Sequence, residues 1–279
     1  MKEWRILPFE KAAAAENMAV DEAVFRKNIR GTSPPTLRFY GWRVPTLSIG
    51  CFQDYRKEVD DEACRRFGVQ VVRRPTGGKA VLHEQELTYA VIAGSDPDLF
   101  PPDILKTYRV IGRCLSEGLA EIGIRAEMKE EGRRSPEGTL RSACFSFPSR
   151  YELLVGGRKI CGSAQMRSRG FFLQHGSLLT AFDPRRTCGV MRPRRAMVKE
   201  ADLLRNAVTS VGEQAGPAVG EERLRRALRE GFERTLGIRL REGTLTPDEE
   251  AFRDELIAKK YGCEEWNREG RRSEWISGL

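Results

Sequence analysis

Cys144 and Lys159 are the two side chains of this sequence best suited to covalent chemistry. Cys144 stands in Arg141-Ser142-Ala143-Cys144-Phe145-Ser146-Phe147, at the exit of a charged stretch and beside aromatic residues, where a thiol is accessible. A thiol becomes nucleophilic when a nearby cation favours its thiolate, lowering its pKa from about 8.5 toward neutrality. Lys159 follows 15 residues later, across a hairpin that starts at Tyr151, and such a hairpin folds its far strand back toward its entrance. The plain alternative is a half-buried apolar thiol. The two histidines, His83 and His175, are too few for a His-rich metal site, and no Gly-x-Ser-x-Gly elbow accompanies them. Each therefore reads first as a hydrogen-bonded structural residue rather than a general base.

A second feature is the loop Arg73-Arg74-Pro75-Thr76-Gly77-Gly78-Lys79-Ala80-Val81-Leu82-His83. Glycines let backbone N–H groups approach a ligand, and the arginines add charge. The nucleotide phosphate loop requires a glycine four residues before Gly-Lys and a Ser or Thr after the lysine. Ala80 in that last place removes this reading. A basic surface turn remains the alternative.

The elements that must position these residues follow from periodicity. Residues 16–25 read as a helix with Asn17 as its N-cap and Met18, Ala19, Glu22 and Phe25 at helical spacing. Glu22 lies partly on the apolar face and is expected at the surface unless a cation partners it. Residues 36–40 and 46–50 alternate as strands joined by a turn at 41–45, and apolar runs at 69–72 and 87–92 flank the Arg-Arg loop. A helix from Thr107 carries Ile111, Leu115, Leu119 and Ile122 on one stripe, and 124–128 reads as a strand. Residues 129–138 are polar and Gly/Pro-punctuated, hence a mobile loop. A hairpin 151–165 and a strand 171–179 follow, then helices from Glu221 and from Pro247, the latter capped by Thr246. The expected fold class is α+β: a mixed, largely antiparallel sheet flanked by helices. One domain is expected over 1–279, with its core at about 30–240 and a helical tail at about 245–279.

Composition sets outer limits. The chain has 279 residues, 40% hydrophobic and 32% charged, and no apolar run near the roughly 20 residues a membrane span needs. Its opening residues do not resemble a secretory signal, so a cytoplasmic location and no membrane partner are expected. Seven cysteines without a Cys-x-x-Cys pair argue against a disulfide framework or structural zinc. The net charge of +8 points to acidic partners. Nucleic acid is not expected among them, because the basic runs are scattered and lack interleaved aromatics.

Three motifs in order carry a resemblance: Arg73 to Gly78 with His83, Lys159-Ile160-Cys161-Gly162-Ser163-Ala164-Gln165, and Gln174-His175-Gly176-Ser177. Together they resemble the lipoate-protein ligase and octanoyltransferase superfamily, which shares a fold with biotin protein ligases. Asn17 to Ala23 is similar to the superfamily's first helix, and the likeness runs from about residue 4 to 267. Cys144-Phe145 ahead of Tyr151-Glu152-Leu153 resembles the cysteine-dependent octanoyltransferases of lipoate assembly, and Lys79 stands where lipoate ligases generally have a third glycine.

The resemblance implies a ping-pong acyl transfer. Octanoyl-acyl carrier protein would be the donor, Cys144 the acylated thiol, and a lysine of a lipoyl domain or glycine-cleavage H protein the acceptor. Lys159 would then be catalytic. Arg73, Arg74 and His83 would shape the polar mouth, and Val81 and Leu82 the acyl tunnel. Backbone near Gly77, Gly78, Gly162 and Ser163 would hold the oxyanion, with Ala164, His175 and Gly176 also binding substrate. No metal, nucleotide or redox cofactor is implied, and a monomer is expected. Cys161 departs from the small non-thiol residue usual at its place. Cys188-Gly189 resembles the Cys-Gly of a second octanoyltransferase family, so Cys188 is the alternative acylated thiol. An ATP-dependent lipoate ligase and a non-catalytic carrier-binding module on the same fold are the alternative functions.

Overall fold

Strand β1, Lys2–Ala12, buries Trp4 and Ile6 on one side and Leu7 on the other, and it occupies a second-from-edge place that its mixed sequence does not advertise. In the computed structural model, residues 1–96, 98–128, 152–192, 197–216 and 219–270 are described. After β1 the chain forms α1 (Ala14–Ile29), β2 (Thr36–Trp42), β3 (Thr46–Ile49), α2 (Tyr55–Glu58), α3 (Asp61–Arg66), β4 (Gln70–Arg73), β5 (Val81–His83) and β6 (Glu86–Gly94). It continues with α4 (Ile104–Ala120), β7 (Glu127–Met128), β8 (Leu153–Val155), β9 (Arg158–Ser168), β10 (Phe171–Leu179), α5 (Pro184–Gly189), α6 (Met197–Ala207) and α7 (Val211–Ala215). The last elements are α8 (Glu221–Leu236), β11 (Ile238–Glu242), α9 (Pro247–Leu256) and two π-type turns, Ile257–Tyr261 and Glu265–Glu269.

Among the described residues eight strands form one sheet in the order β11-β1-β2-β6-β10-β9-β8-β7, and β4-β3-β5 form a smaller one. β1 runs parallel to β11 and β2, the series β2-β6-β10-β9-β8-β7 pairs antiparallel, and in the small sheet β3 is parallel to β4 and antiparallel to β5. This is the mixed, largely antiparallel α+β fold that the alternation suggested. Period-two alternation divides the large sheet into two cores. On β6, Leu87, Tyr89, Val91 and Ala93 meet α4 and α8, while Ala90 and Ile92 meet α1 and the C-terminal turns. No helix among the described residues is long and apolar enough to cross a membrane.

Several expectations shift. Asn17 is not the cap of α1; Ala13 is, and Asn17 lies inside the helix, buried, donating to the Gly41 carbonyl at 2.9 Å and accepting from Arg38. Residues 41–45 do not make a hairpin, because β2 joins the large sheet and β3 the small one. Leu47 and Ile49 of β3 pack with Tyr55 and Val59 in a separate core, which pulls the chain away. Glu22 is buried rather than exposed, and its carboxylate receives Arg26 at 2.7 Å, Lys260 at 2.7 Å and the Tyr261 hydroxyl. Thr246 caps α9 as expected, through a reciprocal box with Glu249. The expected loop 129–138 lies outside the described residues.

Candidate active site

The loop after β4 is drawn in by its own two arginines. The Arg74 guanidinium donates to the carbonyls of Ser48, Gly77 and Lys79 at 2.9–3.0 Å and to Ser48 Oγ at 2.7 Å. With the Gly77 carbonyl turned onto Arg74, the amide of Gly78 is directed away from it, as peptide planarity requires. Among the described residues the Gly77 and Gly78 amides donate to no acceptor. Gly78 sits at φ 93°, which a side chain rarely adopts. Arg73 points the other way. It donates to the carbonyls of Gly50, Gln53, Trp266 and Arg268, Trp266 donates back to its carbonyl, and Asn267 Oδ1 accepts from its amide.

Both histidines end on this region. The ring of His175, on β10, has Nε2 2.7 Å from the Thr76 hydroxyl and Nδ1 3.1 Å from Asp21 Oδ2. Asp21 also receives Arg38 at 2.9 Å and the Tyr40 hydroxyl at 2.8 Å. Burial alone would raise the Asp21 carboxyl, but the hydrogen bond from His175 and the charge of Arg38 outweigh it and hold the carboxyl below its ordinary value. His83 at the end of β5 has Nε2 2.7 Å from Ser48 Oγ, and the Trp42 ring stacks on it at 4.2 Å between centroids. Burial pushes the His83 imidazole down, so it is neutral at pH 7.

β9 lies beside β10 with Gly162 opposite Ser177, Ser163 opposite Gly176 and Ala164 opposite His175. The glycine at 176 is required, since a Cβ there would come within 2.5 Å of the Tyr89 ring. Arg74, His83, Gly162, Ser163, Ala164, His175 and Gly176 thus line one narrow cavity of about 30 Å³, walled also by Met18, Tyr40, Trp42 and Val81. Gly77 and Arg73 line an adjoining larger groove instead. Leu82 packs in the small-sheet core and is not among the residues lining the cavity.

A β-bulge places Lys159. Between Leu153 and Leu154 of β8 the register slips by one, and Ile160 and Cys161 of β9 both enter the first core. The interrupted alternation returns Lys159 to the opposite face, that of Gly162 and Ala164, as bulges near sites commonly re-aim a side chain. Lys159 is fully buried, its Nζ is 2.6 Å from Glu152 Oε1, and it lies outside the lining of the cavity. Cys144 and the segment around it lie outside the described residues. Cys188 is buried at the end of α5 with Leu179 and Val208, its thiol pushed up to about 11 by burial. Burial pushes the Cys161 thiol to about 12. Neither environment favours a thiolate.

Sequence reasoning passed over Asp21, Ser48 and Thr76, although each touches a cavity histidine or arginine. A signal existed for Asp21, an acidic residue at helical spacing from Met18, Val24 and Phe25, where burial demands partners.

The sequence profile of the family described as "Lipoyl protein ligase A/B catalytic domain" matches residues 13–233. The chain is 46% identical to the octanoyltransferase LipM of Kyrpidia tusciae over 274 residues, covering 96% of this chain and 99% of that one. It is 38% identical to the octanoyltransferase LipM of Bacillus subtilis, covering 95% of this chain and 97% of that one. The fold is similar to that of a bi-partite lipoate protein ligase from Thermoplasma acidophilum, described together with its E2 lipoyl domain, with a TM-score of 0.81, 29% identity, and coverage of 98% and 99%. The chain belongs to the lipoyl protein ligase A/B catalytic domain family.

Proposed function

We propose that this chain is an octanoyltransferase of lipoate biosynthesis, moving octanoyl from acyl carrier protein to a lysine of a lipoyl domain or glycine-cleavage H protein. The observation that carries the reading is the near-full-length likeness to octanoyltransferases. The T. acidophilum relative and its lipoyl domain support the acceptor class.

In the first step the Cys144 thiolate attacks the carrier thioester, the carrier C–S bond breaks, and the carrier thiolate leaves and takes up a proton. In the second, the acceptor amine attacks the acyl-enzyme, loses its proton, and expels the Cys144 thiolate as the amide forms. Lys159, on the cavity's side of the sheet, supplies the positive charge that favours the thiolate. The open amides of Gly77 and Gly78 are suited to the oxyanion of both steps. Arg74, His83, Gly162, Ser163, Ala164, His175 and Gly176 line the place the acyl chain would take, a cavity that at about 30 Å³ must open to admit eight carbons.

Intact-mass measurement after exposure to octanoyl-acyl carrier protein tests the reading. An octanoyl adduct on the wild type and on Cys188→Ser, absent from Cys144→Ser, is expected. An adduct on Cys144→Ser would transfer the role to another thiol. Efficient acceptor modification from free octanoate and ATP would replace the reading with an adenylating ligase.

A further inference from the structure

Leu154 of β8 stands opposite Lys159 of β9, and Glu152 comes two residues before Leu154, hence on the same side of the chain. That diagonal is within reach of two long side chains, and Glu152 Oε1 meets Lys159 Nζ at 2.6 Å. The Lys159 side chain is 1% exposed and that of Glu152 9%. The junction of α6 and α7 pairs with β9 at the same point, the Thr209 amide donating to the Lys159 carbonyl at 2.9 Å. Other carboxylates nearby have neighbours of their own: Glu86 accepts from the Thr88 hydroxyl at 2.6 Å, Glu213 meets Arg158 at 2.6 Å, and Glu200 of α6 bears on the Cys188 thiol. Cys161, two residues from Lys159, is kept a neutral thiol by burial, while the Lys159 charge pulls its pKa down and the Glu152 charge pushes it up. The two charges thus oppose each other at a neighbouring sulfur.

Such a pair is a poor device for acidifying a thiol and nothing more, since the carboxylate offsets the field of the cation. It suits a reaction in which the sulfur changes charge. In octanoyl transfer Cys144 is a thiolate before the first step, a neutral thioester between the steps, and a thiolate again as it leaves. A buried ammonium with that thiolate as its counter-charge would be stranded at every acylation and would shed its proton. Resting on the octanoyl-transfer reading, we propose that Glu152 is a positioning residue for the second step, its permanent negative charge keeping Lys159 protonated and in place for the life of the acyl-enzyme. The acceptor nitrogen then bonds to the acyl carbon and the bond from that carbon to the Cys144 sulfur breaks. The sulfur departs as a thiolate stabilised by an ammonium that is already charged, and the surplus proton of the nitrogen passes to water.

Single-turnover intact-mass measurements separate the two steps. In Glu152→Gln the free enzyme still sets Lys159 against the thiolate. Octanoyl adduct formation from octanoyl-acyl carrier protein, and alkylation of Cys144 by iodoacetamide at pH 7, are therefore expected to run within about twofold of wild type or faster. Transfer from the acyl-enzyme to an apo lipoyl domain is expected to slow about tenfold or more, the scale of one charged hydrogen bond, so that acyl-enzyme accumulates. Glu152→Asp, which keeps the charge, should recover most of the transfer rate. Equal slowing of both steps, slower adduct formation with normal transfer, or no accumulation of acyl-enzyme would overturn the proposal. If Glu152→Gln fails to fold, Glu152→Asp decides through the ratio of the two rates. A ratio within about threefold of wild type supports the charge role, and a build-up of acyl-enzyme in that variant overturns it. Absence of any octanoyl adduct on the wild-type chain would instead defeat the transferase reading, whatever the variants do.

Discussion

His175 and His83 face one cavity, and each brings Nε2 within 2.7 Å of a hydroxyl, yet their other nitrogens fare differently. His175 Nδ1 is 3.1 Å from Asp21, a carboxylate that can only accept and that Arg38 and Tyr40 also serve. Nδ1 must therefore carry the proton, which leaves Nε2 to receive the Thr76 hydroxyl when the ring is neutral. His83 Nδ1 lies 3.5 Å from Glu86 Oε1, and both this nitrogen and Glu86 Oε2 lack hydrogen-bond partners among the described residues. A buried polar atom left so costs about 1–3 kcal/mol. One side of the cavity is a closed scaffold that holds the loop tip, and behind the other a buried ring nitrogen and a buried carboxylate oxygen are left without partners among the described residues.

The largest effect should follow from breaking the closed side at its centre. Asp21→Ala leaves the Arg38 guanidinium buried without its carboxylate and should cost about 3–5 kcal/mol in denaturant unfolding. A cost under about 1 kcal/mol would show that the network is not what holds α1 to the sheet. Thr76→Val, nearly isosteric, should cost about 1–3 kcal/mol and lower kcat more than it raises the donor KM, with Thr76→Ser restoring both. If Thr76→Val turns over like the wild type, the His175 relay has no hold on the loop.

The open side should yield less. His83→Gln is expected to cost about 1 kcal/mol, less than His175→Gln, and equal costs would erase the contrast between the two rings. The smallest effect is in pH. The His83 pKa is depressed below 6.5, so the unfolded chain binds the extra proton first, and stability falls as pH drops from 6.5 toward the folded value. Unfolding free energy measured from pH 7 to pH 5 should decline less in His83→Gln than in the wild type. The depressed Asp21 carboxyl acts in a separate window, its contribution being lost only as pH falls below about 3.8.

Local chemistry was the part of this molecule legible from sequence. Alternation located β6 and β10, the glycine pair located the loop, and the motif order brought Arg74, Gly162 to Ala164 and His175 to one place. Long-range pairing was not legible. β11 has only five residues, and β1 carries charges and Pro8, so neither announces its place in a parallel edge. Arg73 looks like its neighbour in sequence, but its destination is a set of carbonyls contributed partly by residues 266 and 268. The bulge that turns Lys159 is likewise a property of strand pairing, which no periodicity contains.

The clasp around Arg73 has a consequence for how the protein is made. The contacts of Arg73 with Trp266, of Glu22 with Lys260 and of Arg5 with Glu249 each span more than 190 residues of chain. A nascent polypeptide emerging from the ribosome at about 5–20 residues per second therefore carries Arg73 without its Trp266 and Arg268 partners until the π-type turns have cleared the exit tunnel, while Arg74 can already fold the glycine loop onto Ser48. Ribosome-bound chains halted before residue 266 has emerged should be cut by protease around Arg73 faster than the released longer chain.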